Sequence, residues 1–173
     1  MTTETYEQLK KICDKYGAQE FGKLCQQMLA LTLDASNFKV MEVRLVEGVD
    51  IDAMQDGEKY AIEVKTVTRN NTIYFGHKDR EGLVKRKEDS YQSVVAVLRL
   101  DRFSDWMFAK ADSIKPGSVY IDKLRVYRLT GLEKRISPFF DKTVSDHYAG
   151  TMKDGQRYLN DILRQKGVKV RQS

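Results

Sequence analysis

Residues 48–65, G-V-D-I-D-A-M-Q-D-G-E-K-Y-A-I-E-V-K, carry side chains whose types and spacing could do chemistry. Asp56-Gly57 between two alternating runs is among the stronger local signals for a β-hairpin. With those two residues at the turn, Gln55 pairs with Glu58 and Asp50 falls directly opposite Glu63. Alternate residues of a strand share a face. Ile51, Ala53, Tyr60, Ile62 and Val64 therefore form an apolar face, and Asp50, Asp52, Lys59, Glu63 and Lys65 a charged one. Opposed Cβ atoms stand about 5 Å apart, where like charges repel, so a facing carboxylate pair calls for a cation or a proton between them. Oxygens from two strands suit Mg²⁺, which keeps positions for water and a substrate phosphate oxygen. Lys65 projects from the same face, where an ammonium could orient or help deprotonate an attacking water and offset developing charge. The competing reading is an exposed sheet face laced with salt bridges; the register and the clean alternation favour the site. Asp52 shares the face of Asp50 and is an alternative ligand, with Asp50 preferred because it opposes Glu63.

The elements that must hold this hairpin are visible in the periodicity. Leu9, Ile12, Cys13 and Tyr16, then Phe21, Leu24, Cys25, Met28 and Leu29, recur at helical steps over residues 4–34, with Gly17 as a candidate break. Strands are predicted near 38–47, 49–55 and 58–67, a charged helix near 78–91, and a buried strand at 93–100. A further strand pair is expected at Trp106–Ala111 and Val119–Leu129, turned by Pro116-Gly117, with Trp106 and Phe108 as core residues. Tyr74 to His77 reads as a loop. From Thr130 the chain reads helical: Thr130 and Glu133 have capping-box spacing, Pro138 interrupts, and Leu159, Ile162 and Leu163 form a stripe.

The 173 residues are 41% hydrophobic and 32% charged, which fits one domain, about 1–173, with a core near 18–129 and a helical extension near 130–173. Disorder, collagen-like repeats and disulfide scaffolds are excluded by composition. No run of about 18 apolar residues suggests a membrane helix, and the polar N-terminus is not a secretory signal. Cys13 and Cys25 lack metal or disulfide spacing, so a cytoplasmic protein is expected. Residues 1–122 hold 18 basic and 20 acidic side chains, whereas residues 123–173 hold 12 and 5. A basic excess confined to one third of the chain points to a polyanion or to an ordinary solvated face.

The hairpin resembles the signature of the PD-(D/E)XK nuclease superfamily: an Asp, a strand–turn–strand interval, then Asp/Glu-x-Lys, here Asp50 and Glu63-Val64-Lys65. G-V-D-I-D followed by D-G-E-K-Y-A-I-E-V-K-T is especially similar to archaeal Holliday-junction resolvases, and also to restriction and defence nuclease domains. Val49 stands where the superfamily's name has proline, and the similarity covers about residues 18–100. The resemblance implies an α/β fold, a restriction-endonuclease-like mixed sheet flanked by helices. It implies metal ligation by Asp50, Glu63 and the main-chain carbonyl of Val64, with Lys65 as the catalytic lysine. Many members add an acid from the first helix, for which Glu20, beside the apolar stripe, is the candidate. Arg69, Lys78, Lys85, Arg86, Lys87 and Gln92 are candidates for contacting nucleic acid; a solvated helix face is the competing reading for the lysine- and arginine-rich helix. The implied activity is hydrolysis of phosphodiester bonds in branched or duplex DNA with Mg²⁺, for which Mn²⁺ would substitute. Matched cuts on two strands, together with the tail stripe, lead to an expected homodimer. The alternatives are a non-catalytic nucleic-acid-binding or assembly module retaining the fold, and an RNA-directed nuclease.

Overall fold

Gly17, at φ 83°, breaks the N-terminal helical stretch into α1 (Thr3–Tyr16) and α2 (Ala18–Ala35) in the computed structural model, which describes residues 1–172. β1 (Lys39–Arg44), β2 (Ile51–Gln55) and β3 (Glu58–Val67) follow as an antiparallel meander. Asp56 and Gly57, at φ 52° and 80°, take the paired positive values of the tight turn that best suits strand twist. After β4 (Thr72–Phe75) and α3 (His77–Glu88), β5 (Tyr91–Arg99) lies parallel to β3, and β6 (Met107–Lys110) closes that edge antiparallel to β5. The order helix–strand–strand–strand–helix–strand is the one expected, with one short strand, β4, added before α3.

Among the described residues the main sheet has six strands, in the order β6-β5-β3-β2-β1-β8, the last being Lys169–Arg171, and both of its faces are covered. Ile51, Ala53, Tyr60, Ile62, Val94, Ala96 and Leu98 pack against α1, α2 and the C-terminal helix. Ala61, Val95, Val97 and Ala109 face a second core built with Leu83 of α3, Ile73 and Phe75 of β4, and Ile121 and Leu124. β5 therefore reads as an unbroken apolar run, as central parallel strands do. The charged face of the hairpin turns toward this second core rather than toward open solvent.

Several expectations are corrected. Val119–Leu129 is not a strand beside β6: β7 (Gly117–Tyr120) pairs with β4 in a separate ribbon, and Ile121–Tyr127 is a 3-10 helix whose Ile121 and Leu124, three apart, point inward. His77 opens α3 rather than lying in a loop. The Thr130 capping box does not form: α4 (Thr130–Ile136) starts at Thr130 itself, and Glu133 instead accepts from Phe108 N–H and Arg128 Nε.

The tail is part of the core rather than an appendage. α5 (Phe140–Gln165) bends at Gly155 (φ 57°, ψ −134°), where a Cβ would stand 3.2 Å from the Tyr16 ring. It buries Phe140, Val144, Leu159 and Leu163 and bonds Asn160 Oδ1 to Gln27 Nε2 of α2 at 2.6 Å. β8 (Lys169–Arg171) then joins the sheet parallel to β1. Leu159 and Leu163 of the stripe are spent on this packing and Ile162 lies half-buried against it, so the stripe no longer argues for a dimer. Leu163→Ala should cost about 2–5 kcal/mol in urea denaturation; a change within about 0.5 kcal/mol would match a surface position instead.

Candidate functional site

The register read from the turn is the one observed: Ile51 opposes Ile62, Asp52 opposes Ala61 and Gln55 opposes Glu58. One step before β2, Asp50 reaches across to β3, its Oδ2 accepting the Val64 N–H at 2.7 Å. The Asp50 carbonyl accepts from Arg44 N–H at 2.8 Å and from Nε2 of Gln26 at 3.1 Å, which anchors the start of β2 to α2. Glu63 is 4% exposed. Its Oε1 lies 3.0 Å from Lys65 Nζ, and its buried Oε2 has no hydrogen-bond partner among the described residues.

Lys65 also touches Asp79 Oδ2, at 2.7 Å. The same Asp79 oxygen accepts the Gly76 N–H at 2.9 Å, so one carboxylate caps α3 and holds the lysine. Asp79 escaped the sequence reading, although its place three residues after Gly76 is a capping spacing. Gln26 escaped it too; its signal was an amide within an otherwise apolar stretch of helix.

Burial, more than anything else, pushes both site carboxyls up. Asp50 rises to about 7, burial outweighing the Val64 N–H and the Lys65 charge. Glu63 rises to about 9, through burial and then the neighbouring Asp50, against the pull of Lys65. Burial pulls Lys65 down, but Glu63 and Asp79 together lift it above its ordinary value, so it stays a cation at neutral pH.

Asp52 has a different environment. It is 3% exposed and its Oδ2 meets Arg44 at 2.6 Å and Arg86 at 2.7 Å. Two guanidiniums already neutralise it, which separates it from Asp50. Glu20 is not brought to the cluster: its Oε1 accepts from Gln156 Nε2 at 2.6 Å. It lies seven residues before Gln27, hence on the same helix face, and that face meets α5. Gln92 is also displaced. It pairs with Tyr60 and bonds Glu58 at 2.7 Å, near the hairpin turn and about 10 Å along β3 from Glu63.

The basic candidates divide in the same way. Arg86 serves Asp52, Lys78 pairs with Glu47, and Lys87 pairs with Asp112 at 2.7 Å. Lys85 lines a cleft with Arg44, Arg86 and Arg171, and Arg69 shares a groove with Lys65; among the described residues neither Lys85 nor Arg69 has an ion-pair partner.

Among the described residues no group of three or more Asp, Glu, His or Cys side chains converges as a complete metal cage. A cation here would draw on Asp50 and Glu63, with the Val64 carbonyl, water and substrate oxygens to complete its shell, an arrangement that suits Mg²⁺. The unpartnered buried Oε2 of Glu63 fits such an ion.

Each carboxyl binds its proton more tightly in the folded state than in the unfolded one. The stability this contributes is complete below about pH 4 and is lost as pH climbs through about 7 for Asp50 and about 9 for Glu63. Metal-free protein should therefore melt at falling temperature from about pH 5 to about pH 9. Glu63→Gln, which cannot ionise, should flatten the alkaline part of that fall. Calorimetry in chelator checks both; a level wild-type midpoint would show that the two groups are not strained acids.

No family model matches the chain, and no curated protein matches it by sequence. Among solved structures it is similar to Hjc of Archaeoglobus fulgidus, a Holliday junction resolvase from an archaeal hyperthermophile, at 19% identity and a TM-score of 0.49. The match covers 62% of this chain and 93% of that one.

Proposed function

We propose that this protein is a metal-dependent nuclease that hydrolyses phosphodiester bonds in DNA. The observation that carries the proposal is the pair of half-buried Asp50 and buried Glu63, both pushed toward protonation, with a Glu63 oxygen orphaned among the described residues and a charged Lys65 beside it. A fold tolerates such a pair when a cation discharges it. Asp50, Glu63 and the Val64 carbonyl would hold Mg²⁺, or Mn²⁺ in its place, which supplies charge stabilisation at the phosphoryl oxygens and an acidified water.

Lys65 does work of its own. As a cation held at 2.7 Å by Asp79, it has protons to donate and no lone pair to offer, so it stabilises charge on the scissile phosphate rather than acting as the base. Asp79 is a positioning residue: it keeps the ammonium in place when Glu63 turns to a metal ion. Arg69 and Lys85, without acidic partners, are the side chains best placed for backbone phosphates.

A cleavage assay with Mg²⁺ on a four-way junction, linear duplex, flap and single strand tests the proposal. Wild type should cut at least one of them, Glu63→Ala should cut none while keeping its fold, and Asp52→Asn should still cut. A wild type that cuts nothing with Mg²⁺ or Mn²⁺, and binds neither in calorimetry, would leave the binding-module reading. Asp79→Asn should lower kcat by about 10- to 100-fold with KM little changed, and Asp79→Glu should recover part of it; a loss confined to KM would remove Asp79 from this role.

A further inference from the structure

The ribbon of β4 and β7 has an inner and an outer face. Ile73, Phe75 and Val119 turn into the second core, and the Phe75 ring lies 6.0 Å from Lys65 Nζ. The pairs Tyr74–Ser118 and Thr72–Tyr120 put Thr72, Tyr74, Ser118 and Tyr120 on the outer face. Both tyrosines stand open to solvent, Tyr74 at 67% and Tyr120 at 59% exposed. Lys123 Nζ lies 5.8 Å from the centre of the Tyr120 ring.

A groove of about 190 Å³ joins this face to the candidate site, running from Lys65 past Thr66, Thr68, Arg69 and Thr72 to Tyr74. It is lined by two cations and no carboxylate. Because Phe75 contacts Lys65 from the inner face, the outward Tyr74 is held at a fixed place relative to the site. The two tyrosines are diagonal neighbours across the ribbon, a relation that sets residues about 7–8 Å apart. That is roughly twice the ~3.4 Å rise between stacked bases.

We infer that the outer face of this ribbon is a stacking platform for unpaired bases of a DNA strand whose backbone follows the Lys65–Arg69 groove into the site. Exposed aromatic rings beside a positive groove are the elements with which proteins hold single strands. The inference rests on the nuclease reading and deepens it: the substrate presents at least one unstacked nucleotide next to the bond cut. A fully paired duplex keeps its base faces covered and gains nothing from the rings.

The test is fluorescence anisotropy in chelator, so that neither metal nor cleavage enters, with a labelled single-stranded oligonucleotide and a duplex of equal length. Tyr74→Ala and Tyr120→Ala should each weaken single-strand binding by about fivefold or more and leave duplex binding within about twofold. The slope of affinity against salt should not change, because no charge is lost. Tyr74→Phe should bind like wild type. Equal losses on both nucleic acids, or no loss, would overturn the inference. So would a shift from dimer to monomer in light scattering of the alanine variants, which would make the face a self-association surface. A wild type that stacks single strands through Tyr74 but never cuts would sink the nuclease reading and leave the platform; one that cuts without regard to Tyr74 would do the reverse.

Discussion

Two carboxyl groups forced together where water is scarce are the constraint on which this structure turns. Asp50, half-buried just before β2, and Glu63, buried within β3, project from one face of the hairpin, which a second hydrophobic core covers. Burial costs each of them its charge; the neighbouring Asp50 adds to that cost at Glu63, and Asp79 adds to it at Asp50. Carboxyl groups so placed bind a proton or a cation avidly, which is the property a metal-dependent phosphodiesterase requires.

Much of the surrounding structure keeps that pair from relaxing. Gln26 of α2 ties down the carbonyl of Asp50, and the Val64 N–H fixes one of its oxygens. Asp79 spends its carboxylate on both the N-terminus of α3 and Lys65, so the helix and the ammonium are positioned together. Asp52, on the same face, has its Oδ2 held by Arg44 and Arg86. Arg44 in turn bonds Glu42 and the Val49 carbonyl, and Glu42 also meets Arg171 of β8. The C-terminal strand is thereby linked to the floor of the site through a chain of charges. Removing one partner of such a network leaves an uncompensated charge in its buried part, so each partner holds the others in place.

The same sheet explains the groove. Because β4 and β7 leave the main sheet and lie over its second core, Phe75 comes to rest under Lys65 while Tyr74 turns outward. A four-residue strand thus connects the packed interior, the Lys65 ammonium and an exposed aromatic ring.

The hairpin was legible because its information is local. The Asp-Gly turn sets the register, the two-residue period assigns the faces, and Asp50, Glu63 and Lys65 follow from counting. Helix periods and the buried strand β5 were legible for the same reason. What sequence could not decide were choices between partners distant in the chain. Thr72–Phe75 and Val119–Tyr120 became one ribbon because they found each other, not because either run is long enough to declare itself. The Leu159–Leu163 stripe would suit a partner protein equally well, and only the arrival of α5 against α2 buried it within the chain. Glu20, one residue from the apolar stripe, is met by Gln156 of α5, a partner 136 residues away in the chain. Asp50 and Asp52 look alike in sequence; two arginines, one from β1 and one from α3, set them apart. Local backbone periods fix which side chains share a face, whereas the charge state and availability of each one depend on neighbours that only tertiary packing brings within reach.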